Sequence, residues 1–144
     1  MDLEGVFSAC NTLALIGWLF LLVAPRWRYT RRIIIGGLIS LLLALVYITM
    51  IFSGPPFDPA AFSTLKSVMQ LLNQPTTMLA GWVHYLAFDL FIGTWQVANA
   101  QKLGIPHWLV VPCLLFTFML GPVGLFLYFI ARTIYTKQFA HDNF

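Results

Sequence analysis

Uninterrupted apolar runs set the pattern of this chain. Val6 to Ala24 holds nineteen residues without a charge, Ile33 to Phe52 twenty, and Trp108 to Ala131 twenty-four. Each meets the roughly 20 residues a helix needs to cross a hydrocarbon core of about 30 Å. A further run, Thr77 to Ala98, is as long but carries His84 and Asp89 among Leu79, Trp82, Val83, Leu86, Phe88, Leu90, Phe91 and Trp95. The pattern predicts an all-α, polytopic membrane protein: a four-transmembrane-helix bundle with spans at about 6–24, 33–52, 77–98 and 108–131, in one membrane domain of residues 1–144.

The one long connection, Ser53 to Thr76, has a different rhythm. Gly54-Pro55-Pro56 breaks the second span, and Asp58 is placed to cap a helix whose first residue is Pro59. Phe62, Leu65, Met69 and Leu72 then recur at three- and four-residue steps, while Ser63, Lys66, Ser67 and Gln70 fall elsewhere. This predicts a short amphipathic helix between spans two and three, lying on the membrane or folded over the bundle, and ended by Asn73-Gln74-Pro75.

Composition agrees. The chain is 60% hydrophobic, 16% aromatic and 9% charged, against about 25% charged residues in a soluble domain. Its net charge of +3 does not point to nucleic acid, because four of the eight basic residues (Arg26, Arg28, Arg31 and Arg32) crowd into one short loop between apolar runs. That clustering reads as membrane orientation. Asp2 and Glu4 precede the first span and the arginines follow it, which is the reverse of a signal peptide. The N-terminus is expected on the outer side, the arginine loop inside, and four spans return the C-terminus outside. Cys10 and Cys113 fall in opposite leaflets on this map and are expected as small buried hydrophobes.

An ionisable residue within a span costs about 2.5–3.5 kcal/mol for Asp on insertion scales. Two in one span therefore point to a functional site, with hydrogen bonding across the bundle as the competing structural role. His84 and Asp89 are five residues apart, about 7.5 Å along a helix and about 140° around it, so they cannot chelate one ion from a regular helix. Tyr85 shares a face with Asp89, and Trp82 and Gln96, each seven residues away, fall on the same stripe; His84 borders a different groove. Gly121-Pro122-Val123-Gly124 reaches a similar depth, where Pro122 is expected to kink the fourth span. A cavity in the outer half, lined by Asn11, His84, Tyr85, Asp89 and the kink at Pro122, with Trp82 and Phe118 as apolar wall, would suit a lipid-soluble ligand with few polar groups. A carboxyl group that stays protonated near neutral pH can serve as a general acid without any cofactor.

Metal and haem fit poorly. His107 opens the fourth span on the inner side, about 20 Å in depth from His84, so the two cannot share a haem or a zinc ion; His107 reads as an interfacial residue, and His141 lies in the tail. No P-loop, dinucleotide fingerprint, nucleophile elbow or HExxH motif occurs.

The stretch Ala80-Gly81-Trp82-Val83-His84-Tyr85-Leu86-Ala87-Phe88-Asp89-Leu90-Phe91-Ile92-Gly93 resembles the signature of a known membrane family. So do Gly104-Ile105-Pro106-His107, running into Val111-Pro112-Cys113-Leu114-Leu115-Phe116-Thr117-Phe118, and Gly121-Pro122-Val123-Gly124-Leu125. Asn11, Trp18 and Ala24-Pro25 also fit. These segments resemble the abscisic-acid-deficient-four-like family, whose plant member is linked to neoxanthin synthesis in chloroplasts. The resemblance implies a multi-pass protein of a bacterial inner membrane or a plastid (thylakoid) membrane that isomerises an epoxy-xanthophyll to an allenic one. Opening the epoxide needs a proton donor and forming the allene needs a proton acceptor. The resemblance thus implies Asp89 as acid, His84 as base and Tyr85 as the residue orienting Asp89. The expected partner is a carotenoid or related isoprenoid. A non-catalytic carotenoid- or lipid-binding protein and a small proton path through Asp89 are the other classes these residues allow.

Overall fold

The computed structural model describes residues 2–54, 56 and 58–137 of the 144. Its regular elements are helical: α1 (Leu3–Val23), a π-helical turn (Thr30–Ile35), α2 (Leu38–Ser53), a 3-10 turn (Pro59–Phe62), α3 (Leu65–Leu72), α4 (Pro75–Lys102), α5 (His107–Leu120) and α6 (Pro122–Thr136). His141 lies outside the described residues.

Each boundary has a local cause. Asp2 caps α1, its carboxylate accepting from Gly5 N at 3.0 Å. The expected start of the second span at Ile33 becomes the π-helical turn carrying Arg31 and Arg32, and α2 begins only after a break at Gly37. Asp58 caps the Pro59 turn as expected, accepting from Ala60 N at 2.9 Å. The expected single amphipathic helix is split, however, because Thr64 starts a second one by accepting from Ser67 N at 3.1 Å. Pro75 both follows that helix and occupies the first turn of α4.

The long helix α4, about 42 Å at 1.5 Å per residue, is the spine. Parallel to it runs α1: Asn11 meets Trp82, Trp18 lies against Gly93, and Pro25 receives a bond from Gln101. The antiparallel α2 sets Tyr47 beside His84, with Ile39 near the level of Gly17 and Leu90. Trp18, Leu21, Leu43, Val83, Leu90, Val97 and Leu114 fill the core between these helices.

The fourth span departs most from expectation. It is two helices, reversed at Gly121 (φ 31°). Pro122 begins a helix where the sequence implied a kink inside one, and a first-turn proline is well suited to that position. Gly124 packs on the backbone of Thr117 with no room for a side chain. Farther along α6, Tyr128 Oη donates to Asn99 Oδ1 at 2.8 Å and Tyr135 Oη to Gly104 O at 3.1 Å, so α6 returns to the end of the bundle from which α5 started. With fourteen residues, α5 rises about 21 Å. It therefore covers α4 only from Lys102 up to the level of Asp89.

Two consequences correct the sequence map. Leu3 and Thr136 lie at opposite ends of the bundle rather than on one side. Seven of the eight Lys and Arg residues (Arg26, Arg28, Arg31, Arg32, Lys102, Arg132 and Lys137) belong to the end where α6 finishes, leaving Lys66 alone at the other with Asp2, Glu4 and Asp58.

Large apolar side chains stand exposed all around the bundle, among them Leu15, Leu41, Phe91, Met119, Phe126 and Ile134. Among the described residues one helix, α1, is long and apolar enough by itself to cross a membrane, while α2 and α5 are shorter apolar helices. The stripe Phe62, Leu65, Met69 and Leu72 also faces outward.

Candidate functional site

The reversal at Gly121 builds the most distinctive site. Gly121 sits directly against the Asp89 carboxyl: a Cβ there would stand 2.7 Å from Asp89 Oδ1. One turn earlier on α4, the Tyr85 hydroxyl donates to the carbonyl of Phe118 at 2.9 Å. Its only proton is thereby committed, and its oxygen neighbours Asp89. Asp89 Oδ2 is shielded from solvent and makes no hydrogen bond among the described residues. A buried polar atom left without a bond calls for an explanation. Because α6 begins at this turn, the positive pole of its helix dipole lies beside the carboxyl.

Above the hairpin tip, α5 and α6 no longer cover the α1–α4 face. There the rings of Phe7, Trp82 and Tyr85 follow one another, with centroids 5.8 and 5.5 Å apart, and lead down to Asp89. Phe118 closes the lower side by packing edge-on to Trp18 at 5.5 Å. Pro122 is exposed at the tip. The result is an aromatic shelf, open sideways, with one carboxyl at its inner end.

Not every residue expected at the site is there. Asn11 is committed twice: it donates to Phe7 O at 2.8 Å and accepts from Trp82 Nε1 at 3.1 Å, so it ties α1 to α4. Gln96 is fully buried below the tip. Its Nε2 bonds to Thr117 Oγ1 at 2.9 Å in the α4–α5 seam, since α5 covers this part of the stripe. His84 is separated from Asp89 as its spacing implied. Its ring stacks on Phe88 with centroids 4.6 Å apart and lies 5.4 Å from Tyr47, on the side of α4 that meets α2 and the connector. The shared cavity expected for His84 and Asp89 is thus two places, because 140° of helix rotation puts them on different walls. His107 opens α5, and its Nε2 donates to Leu22 O at 2.9 Å, fastening the start of α5 to the end of α1. Both cysteines are buried and free.

The sequence reading missed a polar cluster beneath the site. Thr117, Asn99, Tyr128 and Arg132 are each at most 3% exposed. Tyr128 on α6 bonds to Asn99 on α4, and the Arg132 guanidinium lies 5.5 Å from the centroid of the Phe129 ring. Tyr128 and Arg132 are four residues apart on α6 and so share a face. That spacing was a legible signal only once α6 was known to fold back.

Comparison with known proteins adds to this geometry. Protein ABA DEFICIENT 4, chloroplastic, of Arabidopsis thaliana is 24% identical over 147 residues, an alignment covering 94% of this chain and 64% of that protein. The chain thus spans somewhat under two thirds of the length of the curated relative it matches. No solved structure matches it. The family model described as ABA DEFICIENT 4-like matches residues 5–128, from the first turn of α1 to Tyr128 in α6, and includes the shelf, Asp89 and the Gly121 reversal. This chain belongs to the ABA DEFICIENT 4-like family.

Proposed function

We propose that this chain is an integral membrane isomerase of an epoxy-carotenoid, in which Asp89 donates one proton and removes another. The observation that carries the reading is the Asp89 carboxyl, with Oδ2 free of hydrogen bonds, at the inner end of an aromatic shelf that opens sideways. Family membership and the named relative support a role in carotenoid chemistry. The ring of exposed apolar side chains supports a bilayer setting, because contiguous exposed apolar patches beyond a few hundred Å² are rare on soluble monomers. The charge distribution supports an orientation with the arginine end inside and Leu3 outside.

In this reading the polyene lies along Phe7, Trp82 and Tyr85 and brings its epoxide ring to Asp89. Protonated Asp89 gives its proton to the epoxide oxygen as one ring C–O bond breaks, leaving a hydroxyl and an electron-poor carbon. The second carboxylate oxygen then takes a proton from the neighbouring polyene carbon. The electrons of that C–H bond form the new cumulated double bond. Asp89 ends protonated as it began, and the product is an isomer of the substrate. The α6 dipole favours the transient carboxylate, an effect of about 0.3–1 kcal/mol for an exposed pair and up to about 2 kcal/mol where partly buried. A histidine base is unnecessary, which suits the placement of His84 on another wall.

The test is conversion of an epoxy-xanthophyll by the purified full chain in liposomes, followed by chromatography. Asp89→Asn should lower the rate at least a hundredfold with insertion intact, and His84→Gln should keep it within about threefold. Undiminished conversion by Asp89→Asn, or a carotenoid that binds and emerges unaltered from the unmodified chain, would overturn the proposal.

A further inference from the structure

A second cavity lies on the opposite side of α4 from the Asp89 shelf. It is a half-open cleft of about 990 Å³ bordered by the end of α2, the connector with its 3-10 turn and α3, and the first turns of α4. That is the upper end of the usual range for a small-molecule site. Its floor is apolar, formed by Met50, Ile51 and Ala80. At its inner end His84 is exposed and makes no hydrogen bond among the described residues, with only ring contacts to Phe88 and Tyr47 holding it. An imidazole with unused hydrogen-bonding capacity, set beside apolar side chains, can bond to the polar group of a ligand.

The polar groups of the opening narrow the choice of ligand. Ser67, Gln70, Gln74 and Thr77 line it, all neutral, and so does Asp58, whose carboxylate already accepts from Ala60 N. Neither Lys nor Arg is among its lining residues. A phosphate or carboxylate headgroup would meet neither Lys nor Arg here and one like charge. A hydroxyl would meet uncharged donors and acceptors at the opening and an imidazole at the inner end.

We infer that this cleft is a second ligand site, distinct from the Asp89 shelf, which takes a neutral apolar alcohol and anchors its hydroxyl by hydrogen bonds. The inference stands whether or not the isomerase reading holds.

All-trans-retinol serves as the neutral probe and all-trans-retinoic acid as its anionic counterpart. Saturable binding of each is measured by scintillation proximity on the full chain in dodecyl maltoside. Retinol should bind at least tenfold more tightly than the acid. Gly81→Phe fills the cleft, since the first atom beyond the Gly81 backbone meets only Leu72 Cδ2, at 3.8 Å; retinol binding should weaken at least tenfold. His84→Phe should weaken it about five- to tenfold. Gln70→Lys, a change at an exposed position, should turn the preference towards the acid, a gain that misfolding cannot produce. Equal affinity for retinol and the acid, or an unaltered preference in Gln70→Lys, would overturn the assignment. So would unaltered retinol binding in Gly81→Phe with native circular dichroism.

Discussion

Gly124 in α6 packs its Cα on the backbone of Thr117 in α5, and there the two arms of the hairpin meet at backbone distance. No side chain fits between them. Gly124→Ala is therefore expected to lower stability by about 1–3 kcal/mol, the range for overpacking a close contact. Thermal unfolding in detergent checks this, and an unchanged midpoint would mean that the seam is looser than described.

The Thr117 hydroxyl in the same seam pairs with Gln96. In water, an amide stripped of its partner and left buried costs about 1–3 kcal/mol, but bonds between helices in membranes average only about 0.6 kcal/mol. A double-mutant cycle of Thr117→Val and Gln96→Leu is expected to give a coupling near the smaller figure. A coupling above about 2 kcal/mol would show that the seam behaves as a water-excluded soluble core.

Tyr85→Phe removes the donor to the Phe118 carbonyl. The expected cost is about 1 kcal/mol of stability. If Tyr85 also holds Asp89 in line with the shelf, the conversion rate should fall by about tenfold at a temperature where the variant is fully folded. Equal rates would confine Tyr85 to a structural role.

In the proposed bilayer setting, the hairpin also predicts which groups share a side of the membrane. Single cysteines introduced at Arg31 and Lys137 should react with an impermeant maleimide from the same face of sealed vesicles, and one at Asp2 from the other. The native thiols are buried and should contribute little. Labelling of Lys137→Cys together with Asp2→Cys would restore the four-span arrangement and remove the reversal at Gly121.

Much of this was legible in the residues, and the failures share one cause. Helix content, the caps at Asp2 and Asp58 and the divergent faces of His84 and Asp89 follow from local chemistry and from 100° of rotation per residue, and each is present. The fourth span failed because apolarity records how much greasy chain there is but not its direction. Twenty-four uncharged residues can cross once or go halfway and return. The local signal for return was Gly121-Pro122, a glycine free to adopt φ 31° followed by a residue that favours the first turn of a helix. Gln96 was misplaced for the same reason, since it shares a stripe with Asp89 but lies beneath the α5 arm. Arg132, one residue past the expected fourth span, is fully buried because α6 carries it back against α4.

Because the α5–α6 arm stops at the level of Asp89, the shelf above it has a side door and no tunnel. In the proposed bilayer setting, a molecule dissolved in the lipid would reach it by diffusing in the plane of the bilayer, without passing through water. Its occupancy is then set by the mole fraction of the ligand among the lipids, and an affinity quoted per litre of solution would change with the amount of membrane present.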